Sequence, residues 1–246
     1  MIGMIQWSGE RKRELREDEV LHLRFLLAEI PRGERTPEGV LRKRVESAAR
    51  RFRKVGVRRL VLPVEFPYGE QLEKYGLQAV STLALRRQLG AEWVRAVMER
   101  VKLSPGRAKI AISARELTGE LVRIVTELAL RNRYLLLDLP RGGETLCREL
   151  RREYGASLLL APSKGQLEEA DLLLLFDPRE ELEGTGQIVL PLYGEDASCF
   201  PPLVLPPDLE DGLPEGADRL QLLAALREGG VLHTGQIALG AFPGDP

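Results

Sequence analysis

From Lys109 to Asp177 the chain alternates apolar runs with helix-patterned stretches: KIAIS, a helix, RYLLLD, a second helix, SLLLAP, a short polar helix, then DLLLLFDP. Apolar runs this uniform suit strands buried on both faces, and strands separated by helices suit a parallel sheet wound on both sides. Ligands in such sheets sit beyond the carboxyl ends of the strands. The polar residues that close each run therefore constrain function more than any other part of the sequence.

A dinucleotide-binding fingerprint places G-x-G-x-x-G after the first strand and an acid at the end of the second, about 20 residues on. Laid on ISARELTGELVRIV, that template puts Ala114, Glu116 and Gly119 at the glycine positions and Asp138 at the acid. Residues 108–178 thus resemble the nucleotide-binding Rossmann domains in architecture, with only the third glycine kept. The resemblance implies a Rossmann-like α/β fold and NAD or NADP as the first cofactors to consider. Glu116 opposes them, because the second glycine lets backbone touch the pyrophosphate. Two like charges at 4 Å repel by about 4 kcal/mol at an effective dielectric of 20. Micromolar binding is worth only about 8 kcal/mol in all.

The same residues have a structural use. Ser113 with Glu116 three positions on has the spacing of a capping box, which predicts a helix starting there, with Gly119 allowing the helix to lie close to the sheet. A capped helix start can still take a weakly anionic ligand. Arg115 stands beside Glu116, and Arg141 with Gly142 and Gly143 follows Asp138, where PRGGETL has the composition of an anion nest or of a tight strand-to-helix turn. Ser113, Arg115, Glu116, Gly119, Asp138, Arg141 and Gly142 are the candidate ligand-binding residues. Glu65, Ser163, Lys164, Asp177 and Arg179 also close strands, and one parallel sheet gathers them all on one rim. Asp138 and Asp177 together suit Mg²⁺, or else serve as turn residues.

Upstream, Ile2–Trp7 and Val20–Ile30 read as strands joined by the charged GERKRELREDE, as a solvated connection or short helix. Thr36 and Pro37 predict a capped helix start, with Val40, Leu41, Val45, Ala48, Ala49 and Phe52 on one stripe and Gly56 at its end. VRRLVLPV is the next strand. STLALRRQLGAEWVRAVMERV predicts two helices hinged near Gly90. Downstream of Asp177, strands are expected at Gln187–Leu192 and Leu203–Leu205, a helix at Ala217–Arg227, and a last strand or hairpin in VLHTGQIALGAF. The whole predicts a single α/β unit over 1–246: a mostly parallel sheet, helices on both faces and an irregular C-terminal section. SPGR at 104–107 suggests a joint between sub-lobes 1–104 and 105–246.

At 43% hydrophobic, 246 residues suffice for a full core. Two cysteines, Cys147 and Cys199, and two histidines, His22 and His233, offer no metal-ligand spacing and predict reduced thiols. No apolar run has the length of a membrane span, so a cytoplasmic protein without membrane contact is expected. No nucleophile elbow accompanies the histidines, and His233 reads as a half-buried structural residue. Residues 42–59 carry nine Arg or Lys against Glu46, whereas residues 165–218 carry fourteen acids against Arg179. The basic helix 40–59 fits an interaction surface, but no binding motif accompanies it, so nucleic acid is not the expected partner. The leading expectation is binding of a small anionic or polar metabolite, or of a protein partner or second copy, without catalysis. An NAD(P)-dependent oxidoreductase with a divergent loop is the alternative.

Overall fold

The computed structural model describes residues 1–9, 15–179, 182 and 187–241. They divide into two compact units, one within 1–82 and 202–241 and the other within 83–201.

In the first unit, β1 (Ile2–Ser8), β2 (Arg16–Val20), β3 (Leu23–Pro31), β4 (Arg59–Val61) and β5 (Gln78–Ala79) pair in the order β2-β3-β1-β4-β5. Among the described residues of this sheet, only the β2–β3 pair is antiparallel. The strand expected over Val20–Ile30 is broken instead by a two-residue turn, because Leu21 and His22 both take left-handed φ, at 46° and 69°. The charged segment REDEV, expected as part of a connection, is the edge strand β2, and charge on an edge discourages further pairing. Residues 10–14 of that connection lie outside the described residues.

Helix α1 (Glu38–Lys54) buries Leu41, Val45, Ala48, Ala49 and Phe52, the stripe read from the sequence, whereas Val40 is exposed. Thr36 does not cap it: its hydroxyl accepts the Gly33 amide at 2.9 Å, and Pro37 holds the cap position with no side-chain bond. Gly56, at φ 79°, ends the run. A short helix α2 (Gly69–Glu73) leads to β5.

The second unit opens with α3 (Leu83–Gln88) and α4 (Gly90–Arg100), hinged where expected. The sequence then continues as β6 (Lys109–Ser113), α5 (Gly119–Arg131), β7 (Tyr134–Asp138), α6 (Gly143–Tyr154), β8 (Leu159–Leu160), α7 (Lys164–Glu168), β9 (Leu172–Leu175) and β10 (Ile188–Pro191). The sheet order is β10-β9-β6-β7-β8, parallel throughout. Renumbered within the unit this is 3-2-1-4-5, the mononucleotide-binding order of Rossmann folds. Central β9 is four leucines, each 0% exposed, as a strand covered on both faces requires. Burying each contributes about 1.5–3 kcal/mol. The structure is thus a mixed α/β fold with mostly parallel five-stranded sheets flanked by helices.

The C-terminal section returns to the first unit as β11 (Leu203–Val204), α8 (Pro207–Glu210), α9 (Arg219–Glu228), a 3₁₀ turn at Thr234–Gln236 and β12 (Ala238–Leu239), which pairs with β11. Residue 242, the end of the expected last strand, is outside the described residues. His233 is exposed ahead of the 3₁₀ turn rather than half-buried, its amide donating to Gln236 Oε1 at 2.8 Å. Cys147 and Cys199 are free thiols. Among the described residues no helix is long and apolar enough to cross a membrane.

Candidate functional site

The order 3-2-1-4-5 reverses between β6 and β9, so the crevice that such sheets offer a ligand opens beyond Ser113 and Leu175. β7 lies on the other flank of β6, with Ser113 opposite Asp138 in register. Ser113, 1% exposed, donates its hydroxyl to Asp138 Oδ2 at 2.8 Å. Arg179, four residues beyond β9, donates to the same oxygen at 2.5 Å. Asp138 and Arg179 keep 21% and 25% of their side chains exposed, so the pair is held at the rim and still reaches solvent. Asp138 Oδ1 has no bond among the described residues.

The loop from β6 to α5 differs from the capping-box expectation. Ser113 is the last strand residue and is spent on Asp138, so Glu116 has no cap to complete and is exposed. The helix begins five residues later, where Thr118 Oγ1 accepts the Leu121 amide at 3.2 Å. Ser163 and Gln166 form the unit's capping box instead, at the start of α7. Arg115 is exposed, and its amide donates to Asp177 Oδ2 at 2.8 Å. One of the loop's own donors is thereby closed by an acid from the neighbouring strand end.

Gly119, expected to let the helix approach the sheet, does no such thing: a Cβ there meets nothing within 4 Å. The close approach belongs to the loop after β7. At Gly142, φ is 85° and a Cβ would stand 2.9 Å from Leu117 Cδ2; at Gly143 it would stand 2.7 Å from Leu160 Cδ1. Gly142 thus brings the two loops together, and its left-handed backbone starts α6. Arg141 is exposed beside it. Glu65 is not on this rim, because it follows β4 in the first unit's sheet.

One further cation anchors the strand ends from α3. Arg87 donates to the carbonyls of Phe176 at 3.1 Å and Leu192 at 2.9 Å, lies over the Phe176 ring, and stands 3.5 Å from Glu120. Nothing in the spacing of QLGAEW or LALRRQ marks it. Arg179 was legible only as a polar residue after a strand, since its partner Asp138 lies 41 positions away. Among the described residues no group of three or more His, Cys, Asp or Glu gathers to hold a metal.

Chemically, the rim combines a fixed carboxylate with one open oxygen, a guanidinium at its side, and two exposed loops, one carrying Arg115 and Glu116 and the other Arg141. It suits orientation of hydroxyl groups better than wrapping of a diphosphate.

No protein-family model matches the chain, and no curated protein sequence matches it. Among solved structures it is similar to L-tryptophan dehydrogenase from Nostoc punctiforme, at 14% identity and a TM-score of 0.30, over 68% of this chain and 50% of that one. A shikimate 5-dehydrogenase-like protein matches at 14% identity and a TM-score of 0.26, over 75% and 71% of the two chains. Shikimate dehydrogenase 1 from Peptoclostridium difficile matches at 10% identity and a TM-score of 0.28, over 85% and 89%. The chain spans half the length of the first of these. It is the strand order that makes the second unit Rossmann-like.

Proposed function

We propose that the second unit binds a small, hydroxyl-bearing polar metabolite at the carboxyl rim of its sheet. The observation that carries this reading is Asp138, oriented by Ser113 and Arg179 through one oxygen while the other stays open. An oriented acceptor loses little entropy on meeting a ligand hydroxyl, and a charge-assisted bond is the stronger kind. Arg115 and Arg141 supply positive charge around it, and Glu116 and Asp177 limit the negative charge that a ligand can bring. On this reading the loop has moved away from pyrophosphate binding.

A second reading, an NAD(P)-dependent oxidoreductase, is favoured by the strand order and by an acid at the end of the unit's second strand, where such folds hold the ribose. It requires Glu116 to stay turned outward, and its exposure permits that.

Thermal unfolding against nucleosides, sugars, NAD, NADP, ATP, S-adenosylmethionine and Mg²⁺ separates the two. Ligand at 100 times its Kd stabilises by about 2.7 kcal/mol. Stabilisation by a hydroxyl-bearing small ligand that disappears in Asp138→Asn supports the first reading. Stabilisation by NAD or NADP that grows in Glu116→Gly supports the second, and silence throughout rejects both.

A further inference from the structure

The first unit's sheet has a reversal point of its own. Its parallel strands lie in the order β3-β1-β4-β5, so the chain leaves β1 to one side for β3 and to the other for β4. The general rule for ligand position therefore points to the carboxyl ends of β1 and β4.

Three aromatic rings meet there. Trp7, near the end of β1, stacks on Phe66 with centroids 5.5 Å apart and an interplanar angle of 27°. Tyr68 stands edge-on to both, at 6.3 Å from Trp7 and 5.6 Å from Phe66. Arg32, one residue past β3, lies over the Trp7 ring with Cζ 5.0 Å from its centroid. The Arg32 side chain is exposed and has no acid partner among the described residues. Trp7 Nε1 is buried without an acceptor, whereas a buried indole N–H usually has one.

The backbone on this rim is strained. Leu62 N is fixed by Gln221 Oε1 at 3.0 Å and Val64 N by the Gly216 carbonyl at 3.1 Å, and the next residue, Glu65, takes φ 52°. That left-handed turn sends Phe66 back onto Trp7. A non-glycine residue takes this region only at an energetic cost, and such strain gathers at ligand sites.

We infer that this rim is a second ligand site, taking a small organic carboxylate with an aromatic or apolar body. The body lies against the half-buried rings of Trp7 and Phe66, and the carboxylate meets the Arg32 guanidinium, which the ring face already orients. The exposed Glu65 carboxylate on the same rim sets the charge limit: it repels a dianionic phosphate about twice as strongly as a monoanion.

The chain has two tryptophans, so Trp93→Phe leaves Trp7 as the sole indole and its emission reports this rim. Titration with benzoate and phenylacetate is expected to change that emission saturably. Arg32→Gln should weaken the response about tenfold, the loss of one charge-assisted contact. Benzamide and phenyl phosphate should give weaker responses than benzoate. Trp93 is buried against Phe200, so the carboxylate-induced shift in melting temperature of the otherwise unaltered chain, with and without Arg32→Gln, serves as the parallel readout. Absence of saturation with both carboxylates, an undiminished response in Arg32→Gln, or phenyl phosphate binding as well as benzoate would each overturn the inference.

Discussion

The Asp177 carboxylate accepts the Arg115 amide at 2.8 Å, joining the ends of β9 and β6 where the strand order of the second sheet reverses. Laid on the fingerprint template, this amide stands where the chain of a dinucleotide-binding fold enters its phosphate loop. Asp177→Ala should free it and remove a negative charge together, whereas Asp177→Asn removes the charge and keeps an acceptor. Both variants should bind NAD or ATP better than the parent, with Asp177→Ala ahead, and Asp177→Ala should lose about 1 kcal/mol of stability. Calorimetric titration and thermal melts check the two arms; unchanged affinity in both variants would mean that the loop conformation, and not Asp177, governs anion binding.

Gly142 and Gly119 test which loop glycine matters. Gly142→Ala places a methyl 2.9 Å from Leu117 Cδ2 at a φ of 85°, so it should destabilise by about 1–3 kcal/mol. Gly119→Ala sits in open space at the first residue of α5 and should be neutral or mildly stabilising. The fingerprint template alone orders the two the other way, so paired denaturant unfolding curves decide.

What could be read from the sequence followed from patterns that act locally. Four consecutive leucines, or Leu41, Val45, Ala48 and Phe52 at helical spacing, bury the same faces wherever the rest of the chain goes. The turn at Leu21 and His22 is not legible, because it lacks the Asn or Gly that usually marks a turn of this type. Strand β5 is two residues long and leaves no period to detect. At the site, Ser113 had a capping partner at the correct spacing, but its position as the last residue of a buried strand decided its bond. The meeting of Arg179 with Asp138 depends on β9 lying next to β6, a fact of sheet order that no local pattern carries.

Glu210 and Arg219 couple the C-terminal section to pH. Both guanidinium nitrogens Nη1 and Nη2 reach the carboxylate at 2.5 Å, and this bond to Arg219 holds the Glu210 pKa below its ordinary value. A depressed folded-state pKa gives stability that is present above the unfolded value and is lost as pH falls through the folded one. Glu210→Gln should therefore be less stable than the parent at neutral pH, by on the order of 0.5–1 kcal/mol for an exposed pair. The gap should close as pH drops below about 4, past the ordinary glutamate range. A gap that persists in acid would assign the effect to packing.

The hairpin from β2 to β3 holds Leu21 and His22 at φ 46° and 69°, the pair of positive angles that a type I′ turn demands and that Asn-Gly usually supplies. The two positions are not equivalent. Leu21 is anchored, with Cδ2 2.7 Å from where a Cβ of Gly212 would stand, so its strain is offset by contact. His22 has a side chain 94% exposed and makes one polar contact among the described residues, its ring nitrogen 3.3 Å from Glu19 Oε1. An exposed surface contact of this kind is worth at most a fraction of a kcal/mol, less than the cost of left-handed backbone in a residue with a Cβ. His22→Gly should accordingly stabilise the chain by about 0.5–1 kcal/mol, and His22→Asn by less. Leu21→Gly should not, because it exchanges strain for a lost contact. Melting temperatures of the three variants distinguish these outcomes, and a loss of stability in His22→Gly would show that the histidine contributes more through Glu19 than its exposure suggests.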